Sequence, residues 1–197
     1  MKTRDLVHVS LFAALVAALG LMPPLELTFS AVPITAQTLG VMLAGSTLGA
    51  RKAGLALVLF HVLVAAGLPL LAGGHGGLAV YPGPSGGFFV GWVPAAFVIG
   101  WLTERAWHRL SVSLAFAINV LGGIGVLYAV GIPWLSLAAG MPLSEAALVS
   151  LAFVPGDCVK ALVAASAAVT LKRAWPLLQA PRRAPPTSPP PSSSGGA

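Results

Sequence analysis

Six apolar tracts dominate the sequence and limit what it can fold into. A helix that crosses the hydrocarbon core of a bilayer needs about 20 residues, with about 17 as the short limit. Five of the tracts meet that limit and the second, of 15 residues, falls below it. Only 8% of the residues are charged, against about a quarter in soluble domains. We therefore predict an all-α integral membrane protein with six transmembrane helices in one bundle, spanning residues 6–22, 34–48, 53–71, 86–102, 110–130 and 145–171.

Basic residues fall on alternate connections between these tracts. Ten of the eleven lie at 2, 4, 51, 52, 105, 109, 172, 173, 182 and 183. The other connections, near residues 22–33, 72–85 and 131–144, contain no Lys or Arg. Short cytoplasmic loops carry the excess of Lys and Arg in membrane proteins. Both termini are therefore expected in the cytoplasm, and topology rather than nucleic-acid binding accounts for the net charge of +6.

The chain divides into a membrane domain and a tail. Residues 174–197 are rich in Pro and Ser and carry no apolar pattern, which is typical of a disordered segment. We predict a membrane domain over residues 1–173 and a disordered cytoplasmic tail after it. The first tract resembles a signal peptide in its basic start, but the alternation of charge favours its retention as a span.

One basic residue, Lys160, is left unexplained by topology. It lies in the stretch FVPGDCVKAL, residues 153–162, within the sixth tract. Proline suits the first turn of a helix, so we predict that a helix begins at Pro155 and runs to about residue 171. Asp157 and Lys160 then lie on one face of its first turns. Ionisable groups at membrane depth need partners and face the interior of the bundle.

Three interpretations of this pair remain open from the residues alone. Asp157 can cap the helix and pair with Lys160 to hold the bundle together. The pair can instead line a polar pocket that opens to the outside. A proton relay is the third, and only His61, Asn119 and Glu145 could extend it.

Other polar residues could belong to such a pocket. Thr35, Gln37 and Thr38 stand at the start of the second span, where helix capping is the commoner role. Asn119 lies within the fifth span, where an Asn often hydrogen-bonds to a neighbouring helix. We keep a ligand-binding role open for these residues.

The connection between the third and fourth spans is rich in glycine, which permits non-helical backbone. Its glycines include Gly74, and such a loop can offer backbone groups to a ligand where protein buries it. Tyr81 and Trp134 are interfacial anchors by their position, or they cover an apolar ring. No metal site or cofactor is predicted, because His75 has no suitably spaced partner.

A small-residue face occurs on the first span. Ala13 and Ala17, or Ala14 and Ala18, repeat at intervals of four residues. Such a face can pack within the bundle or dock onto another membrane protein.

Four motifs in order resemble the BioY family, the biotin-specific S components of energy-coupling factor (ECF) transporters. They are VPITAQTLGVMLAG, GLPLLAGGHGG, GPSGGFFVGW and FVPGDCVKAL, and the resemblance covers residues 6–171. It implies capture of biotin from outside a prokaryotic cell membrane, without catalysis by this chain. It also implies a transmembrane coupling protein and two cytoplasmic ATPases as partners.

The resemblance also assigns residues. It implies that Asp157 and Lys160 bind biotin, with Asn119 and Gln37 as weaker assignments; Thr35, Gly74 and Tyr81 complete the predicted site. Docking of the partner is expected on Ala13, Ala14, Ala17 and Ala18. The alternatives are an S component for another vitamin and a solitary, ion-coupled biotin transporter. A homo-oligomer is also compatible with the sequence.

Overall fold

The computed structural model describes residues 3–26, 28 and 30–174 of the chain. The predicted tail, from 175 onward, lies outside the described residues. Within the described part the chain is helical, and its extended pairing is limited to two isolated bridges, Leu25 with Ile34 and Leu71 with His75. The eight α-helices of this part are α1 Thr3–Gly20, α2 Gln37–Leu48, α3 Ala50–Ala65, α4 Gly86–Ala106, α5 Val112–Val120, α6 Leu127–Ala139, α7 Leu143–Leu151 and α8 Val154–Ala174.

Four helical segments of the described chain are long and apolar enough to cross a membrane. They are Thr3–Gly20, Gly86–Arg109, Val112–Ala139 and Val154–Ala174. The helices α2 and α3 have 12 and 16 residues, so they are shorter than a full span. The chain is thus an all-helical, multi-pass membrane protein.

The short helix α2 is the centre of the bundle. Nine of its twelve residues are buried, and α1, α3, α4 and α8 all pack against it. Because other helices cover α2 on most sides, its backbone does not need the full length of a lipid-exposed span. This explains why the second apolar tract is shorter than the others.

Close helix crossings depend on glycine. A methyl group on Gly100 of α4 would lie 2.4 Å from the backbone nitrogen of Ala50, where α3 begins. Small residues allow this approach of helix backbones in membrane proteins. The α2–α3 junction is Gly49, whose φ of 81° is in the left-handed region that favours glycine.

The fifth span is longer than predicted. Between α5 and α6 the chain forms a π-helical segment, Leu121–Val126, so Val112–Ala139 is one continuous helical rod of 28 residues. The predicted connection at 131–144 was therefore wrong for its first part, and Pro133 lies inside α6. Neighbouring helices allow proline inside membrane helices; here Leu135 is buried within the bundle.

The predicted break in the sixth tract is confirmed. The helix α7 ends at Leu151, and α8 begins at Val154, one residue before Pro155. The missing N–H of Pro155 costs nothing at this position, because the first turn of a helix has no intrahelical acceptor for it. The break places Asp157 in the first turn of α8.

Candidate functional site

Asp157 is the centre of a buried cluster of polar groups from three helices. Its carboxylate is almost completely buried and accepts hydrogen bonds from two strong donors. Tyr128 Oη of α6 lies 2.7 Å from Oδ2, and Lys160 Nζ lies 2.9 Å from Oδ1. Lys160 Nζ also donates to Thr38 Oγ1 of α2 at 2.9 Å, and that hydroxyl donates to Asp157 Oδ1 at 3.4 Å.

The local structure of each helix places these groups. The spacing of three residues brings Asp157 and Lys160 onto one face of α8. Thr38 is in the first turn of α2, and Tyr128 follows the π-helical segment in the first turn of α6. π-helical insertions often occur at functional sites and shift the residues after them around the helix.

The cluster pairs one acidic with one basic side chain, and the hydrogen-bonding capacity of the two is not fully used. A buried ion pair offsets its desolvation cost only with good geometry and further hydrogen bonds. The Asp157 carboxylate can accept about four hydrogen bonds and Lys160 can donate three. Among the described residues Asp157 accepts three and Lys160 donates two. One donor and one acceptor are therefore available to a ligand.

The cluster forms one polar region in the lining of a cavity of about 400 Å³. Small-molecule sites commonly have this size, with largely apolar walls and a few placed polar groups. Four aromatic side chains supply much of the wall here: Phe88, Phe89, Trp92 and Phe153. Phe88 packs edge-on against both Tyr128 and Phe153, with ring centroids 5.7 and 6.4 Å apart.

His61 of α3 supports this wall from behind. Its ring stacks on Phe89, with centroids 3.9 Å apart and planes within 6°. Its two ring nitrogens lie 2.7 Å from Leu57 O and 3.0 Å from Phe89 O, and its carbonyl accepts from the Tyr81 hydroxyl at 3.0 Å. His61 is not among the residues that line the cavity. These contacts fix α3, α4 and the loop between them.

Among the predicted site residues, Asp157, Lys160, Thr35 and Gln37 line the cavity. The Gln37 side-chain amide is already hydrogen-bonded to other parts of the protein. Its nitrogen donates to Val16 O and Leu70 O, both at 3.1 Å, and its oxygen accepts from Ala72 N at 3.0 Å. Gln37 therefore ties α1 and the α3–α4 loop to α2.

The remaining predicted site residues lie outside the lining. Asn119 is fully buried; its amide oxygen accepts from Ser46 and its nitrogen donates to Ala115 O. Gly74 is exposed on the α3–α4 loop with a φ of 76°. Tyr81 packs against Phe89 behind the wall, with ring centroids 5.2 Å apart. The structure therefore brings none of these three to the cavity.

The sequence alone did not indicate a site role for Tyr128 or for the aromatic wall. Tyr128 stands in an apolar tract, where a single hydroxyl gives little signal. The wall residues Phe88, Phe89 and Trp92 lie within the motif GPSGGFFVGW, where they could equally be lipid-facing. No group of three or more His, Cys, Asp or Glu that could hold a metal ion occurs in the part of the chain that the structure describes.

The small-residue face of α1 has one accessible register. Ala13 is buried and Ala17 is partly buried, so this pair packs within the bundle. Ala14 and Ala18 are exposed. Val7 and Leu11 are exposed on the same side of the helix, as the spacing of α-helical turns requires.

Together, the fold and the cavity define a multi-pass membrane protein with a cavity of small-molecule size beside a buried ion pair. Comparison with known proteins gives the family. The BioY family profile matches residues 1–177, and the chain belongs to the BioY family.

Several proteins are similar to this chain over most of its length. The biotin transporter BioY of Rhizobium etli is 49% identical, covering 91% of this chain and 99% of that protein. The biotin transporter BioY of Rhodobacter capsulatus is 48% identical, covering 85% of this chain and 93% of that protein. The crystal structure of the S-component for biotin from an ECF-type ABC transporter superposes with a TM-score of 0.83 at 32% identity, covering 88% of this chain and 95% of that one.

Proposed function

We propose that this protein takes up biotin, as the biotin-binding membrane subunit of an ECF-type ABC transporter. The observation that carries the proposal is the Asp157–Lys160–Tyr128 cluster in the wall of an aromatic-lined cavity. Family membership gives the ligand class, because the similar proteins are named as biotin transporters. The chain itself is proposed to bind and release the vitamin without covalent chemistry, and ATP hydrolysis is assigned to partner subunits.

Biotin matches the cavity chemically. Its ureido ring has two N–H donors and a carbonyl acceptor, its fused thioether ring is apolar, and a flexible chain ends in a carboxylate. The free acceptor site of Asp157 suits a ureido N–H, and the free N–H of Lys160 suits the ureido carbonyl. Bonds to charged partners are the stronger class. Phe88, Trp92 and Phe153 would enclose the apolar rings.

We propose a topology of six membrane segments with both termini in the cytoplasm of a prokaryotic cell. The basic residues of the described helix ends support it. Arg51 and Lys52 follow the α2–α3 junction, Arg105 lies in the last turn of α4 with Arg109 in the turn after it, and Lys172 and Arg173 end α8. The loops at the cavity carry no Lys or Arg. The cavity would then open to the outside.

Partner docking is proposed on the exposed register of α1, Ala14 and Ala18. Small side chains let the backbone of a second helix approach closely. The expected partner is a transmembrane coupling protein that joins this subunit to two cytoplasmic ATPases. The buried Ala13 is excluded from this contact by its position.

Uptake of labelled biotin in cells without other biotin transporters tests the function. We expect accumulation that depends on this chain and that unlabelled biotin abolishes. Competition by a different vitamin at equal concentration would contradict the assigned ligand. Accumulation in vesicles that lack the ATPases, and its loss with a protonophore, would instead favour a solitary ion-coupled transporter.

A further inference from the structure

His75 is a cavity-lining residue to which the proposed function gives no role. It lies on the α3–α4 loop and is exposed, whereas Asp157 is only 4% exposed. The ionisable groups of the lining are therefore at two depths. Asp157 and its partners lie in the interior, and His75 lies where the cavity meets solvent, which we call the mouth.

The backbone around His75 is fixed by the loop itself. Leu71 N donates to His75 O at 3.0 Å, within the Leu71–His75 bridge. Gly73 has a φ of 80°, and a methyl group there would lie 3.2 Å from Cδ2 and Nε2 of the imidazole. The ring thus lies over Gly73 and is held near the mouth by a tight turn.

The imidazole has no competing charged neighbour in the lining. The titratable residues of the lining besides His75 are Asp157 and Lys160 on α8 and Tyr128 on α6, and these bond to one another. The lining residues of α4, and those of the segment before α2, carry no titratable group. Glu26, on the α1–α2 connection, is exposed and outside the lining. The His75 ring has no hydrogen-bond partner among the described residues.

We infer that His75 binds the carboxylate of biotin at the mouth, while the ureido ring lies toward Asp157 and Lys160. The inference rests on the proposed function. A carboxylate is the part of biotin that is most costly to bury, so it is favoured at the hydrated end of the cavity. At the inner end it would have to compete with the Asp157 carboxylate for the N–H groups of Lys160. The imidazole donates a hydrogen bond to the carboxylate, and the bond becomes charge-assisted when the ring is protonated.

The test measures two ligands at two pH values on the wild type, His75→Gln and a control variant. Dissociation constants are measured for biotin and for biotin amide, whose tail is uncharged, on the wild type and on His75→Gln at about pH 5.5 and about pH 8.5. The biotin carboxylate remains largely ionised at the lower pH, since simple carboxylic acids titrate near pH 4.3. A partly exposed ion pair contributes up to about fivefold in affinity.

For the wild type, the dissociation constant of biotin amide divided by that of biotin should be about fivefold larger at the lower pH than at the higher pH. His75→Gln should lose this pH-dependent preference while it still binds both ligands at the higher pH. His108→Gln, an exposed histidine outside the lining, should keep it.

Two results would overturn the inference: an equal pH response of both ligands in the wild type, or the same preference in His75→Gln. Failure of the proposed function is a separate result, the absence of biotin binding by the wild type at either pH. Thermal unfolding of His75→Gln verifies that the variant is folded.

Discussion

At the scale of single residues, the Tyr128 hydroxyl donates the shortest hydrogen bond that the Asp157 carboxylate accepts, with 2.7 Å between Tyr128 Oη and Asp157 Oδ2. We expect Tyr128→Phe to weaken biotin binding by about 10- to 100-fold, because it removes a donor from a buried carboxylate. Equilibrium titration measures the change. Tyr81→Phe is the matched control, since its hydroxyl also bonds to protein but lies outside the lining. Equal loss of affinity in both variants would contradict a local role for Tyr128.

The Asp157–Lys160 pair allows its binding role to be separated from a purely structural one. Lys160→Met should destabilise the fold by about 3–5 kcal/mol, because it leaves a buried carboxylate without its cation. The double variant Asp157→Asn, Lys160→Met should recover much of that stability. It should not recover biotin binding, since the charged groups that meet the ureido ring are absent. Thermal unfolding and titration of both variants check this, and a double variant that binds as the wild type does would leave the pair with a structural role only.

At the scale of helices, the α3–α4 crossing depends on Gly100. We expect Gly100→Ala to lower the unfolding temperature, because its methyl group would collide with the backbone of Ala50. Gly54→Ala on α3 is the control, since its nearest neighbour, Phe97, would lie at an ordinary 3.6 Å. Alanine is the better helix former by about 1 kcal/mol, so Gly54→Ala should be neutral or stabilising. Equal unfolding temperatures for both variants would contradict the tight crossing.

The exposed register of α1 gives a second prediction at this scale. Ala14→Phe and Ala18→Phe should abolish transport in cells that carry the partner subunits, because a large ring keeps a second helix at a distance. Biotin binding by the purified variants should remain, since neither residue lines the cavity. Ala117→Phe, an exposed position on α5, is the control. Normal transport by both α1 variants would place docking elsewhere.

At the scale of the whole molecule, the apolar tracts and the break at Pro155 could be predicted from the sequence, because they follow from few physical rules. The length of an apolar tract and the position of proline restrict helices directly. The sequence did not predict that the fifth span continues through Pro133, or that a π-helical segment precedes Tyr128. Both depend on packing against neighbouring helices, which the order of residues along one helix does not reveal.

The same limit applied to the site. Asp157 and Lys160 were predicted because charge in an apolar tract is conspicuous and because their motif resembles that of a known family. Thr38 and Tyr128 reach the pair from α2 and α6, so their role depends on the tertiary fold. Asn119 shows the opposite case: a polar residue in a span that bonds to its own bundle.

The proposed topology predicts which loops are accessible from outside the cell. In a Cys158→Ser background, which removes the only cysteine, Ala79→Cys should react with a membrane-impermeant maleimide on intact cells. His108→Cys should react only after the membrane is opened. Both positions are exposed, so burial does not explain a difference. The reverse pattern would contradict cytoplasmic termini.

A calorimetric titration of the purified protein with biotin tests the proposed biotin site most directly. We expect saturable binding at one site per chain, with heat that disappears in the Asp157→Asn, Lys160→Met variant. No heat of binding at micromolar biotin by a folded wild-type protein would contradict it.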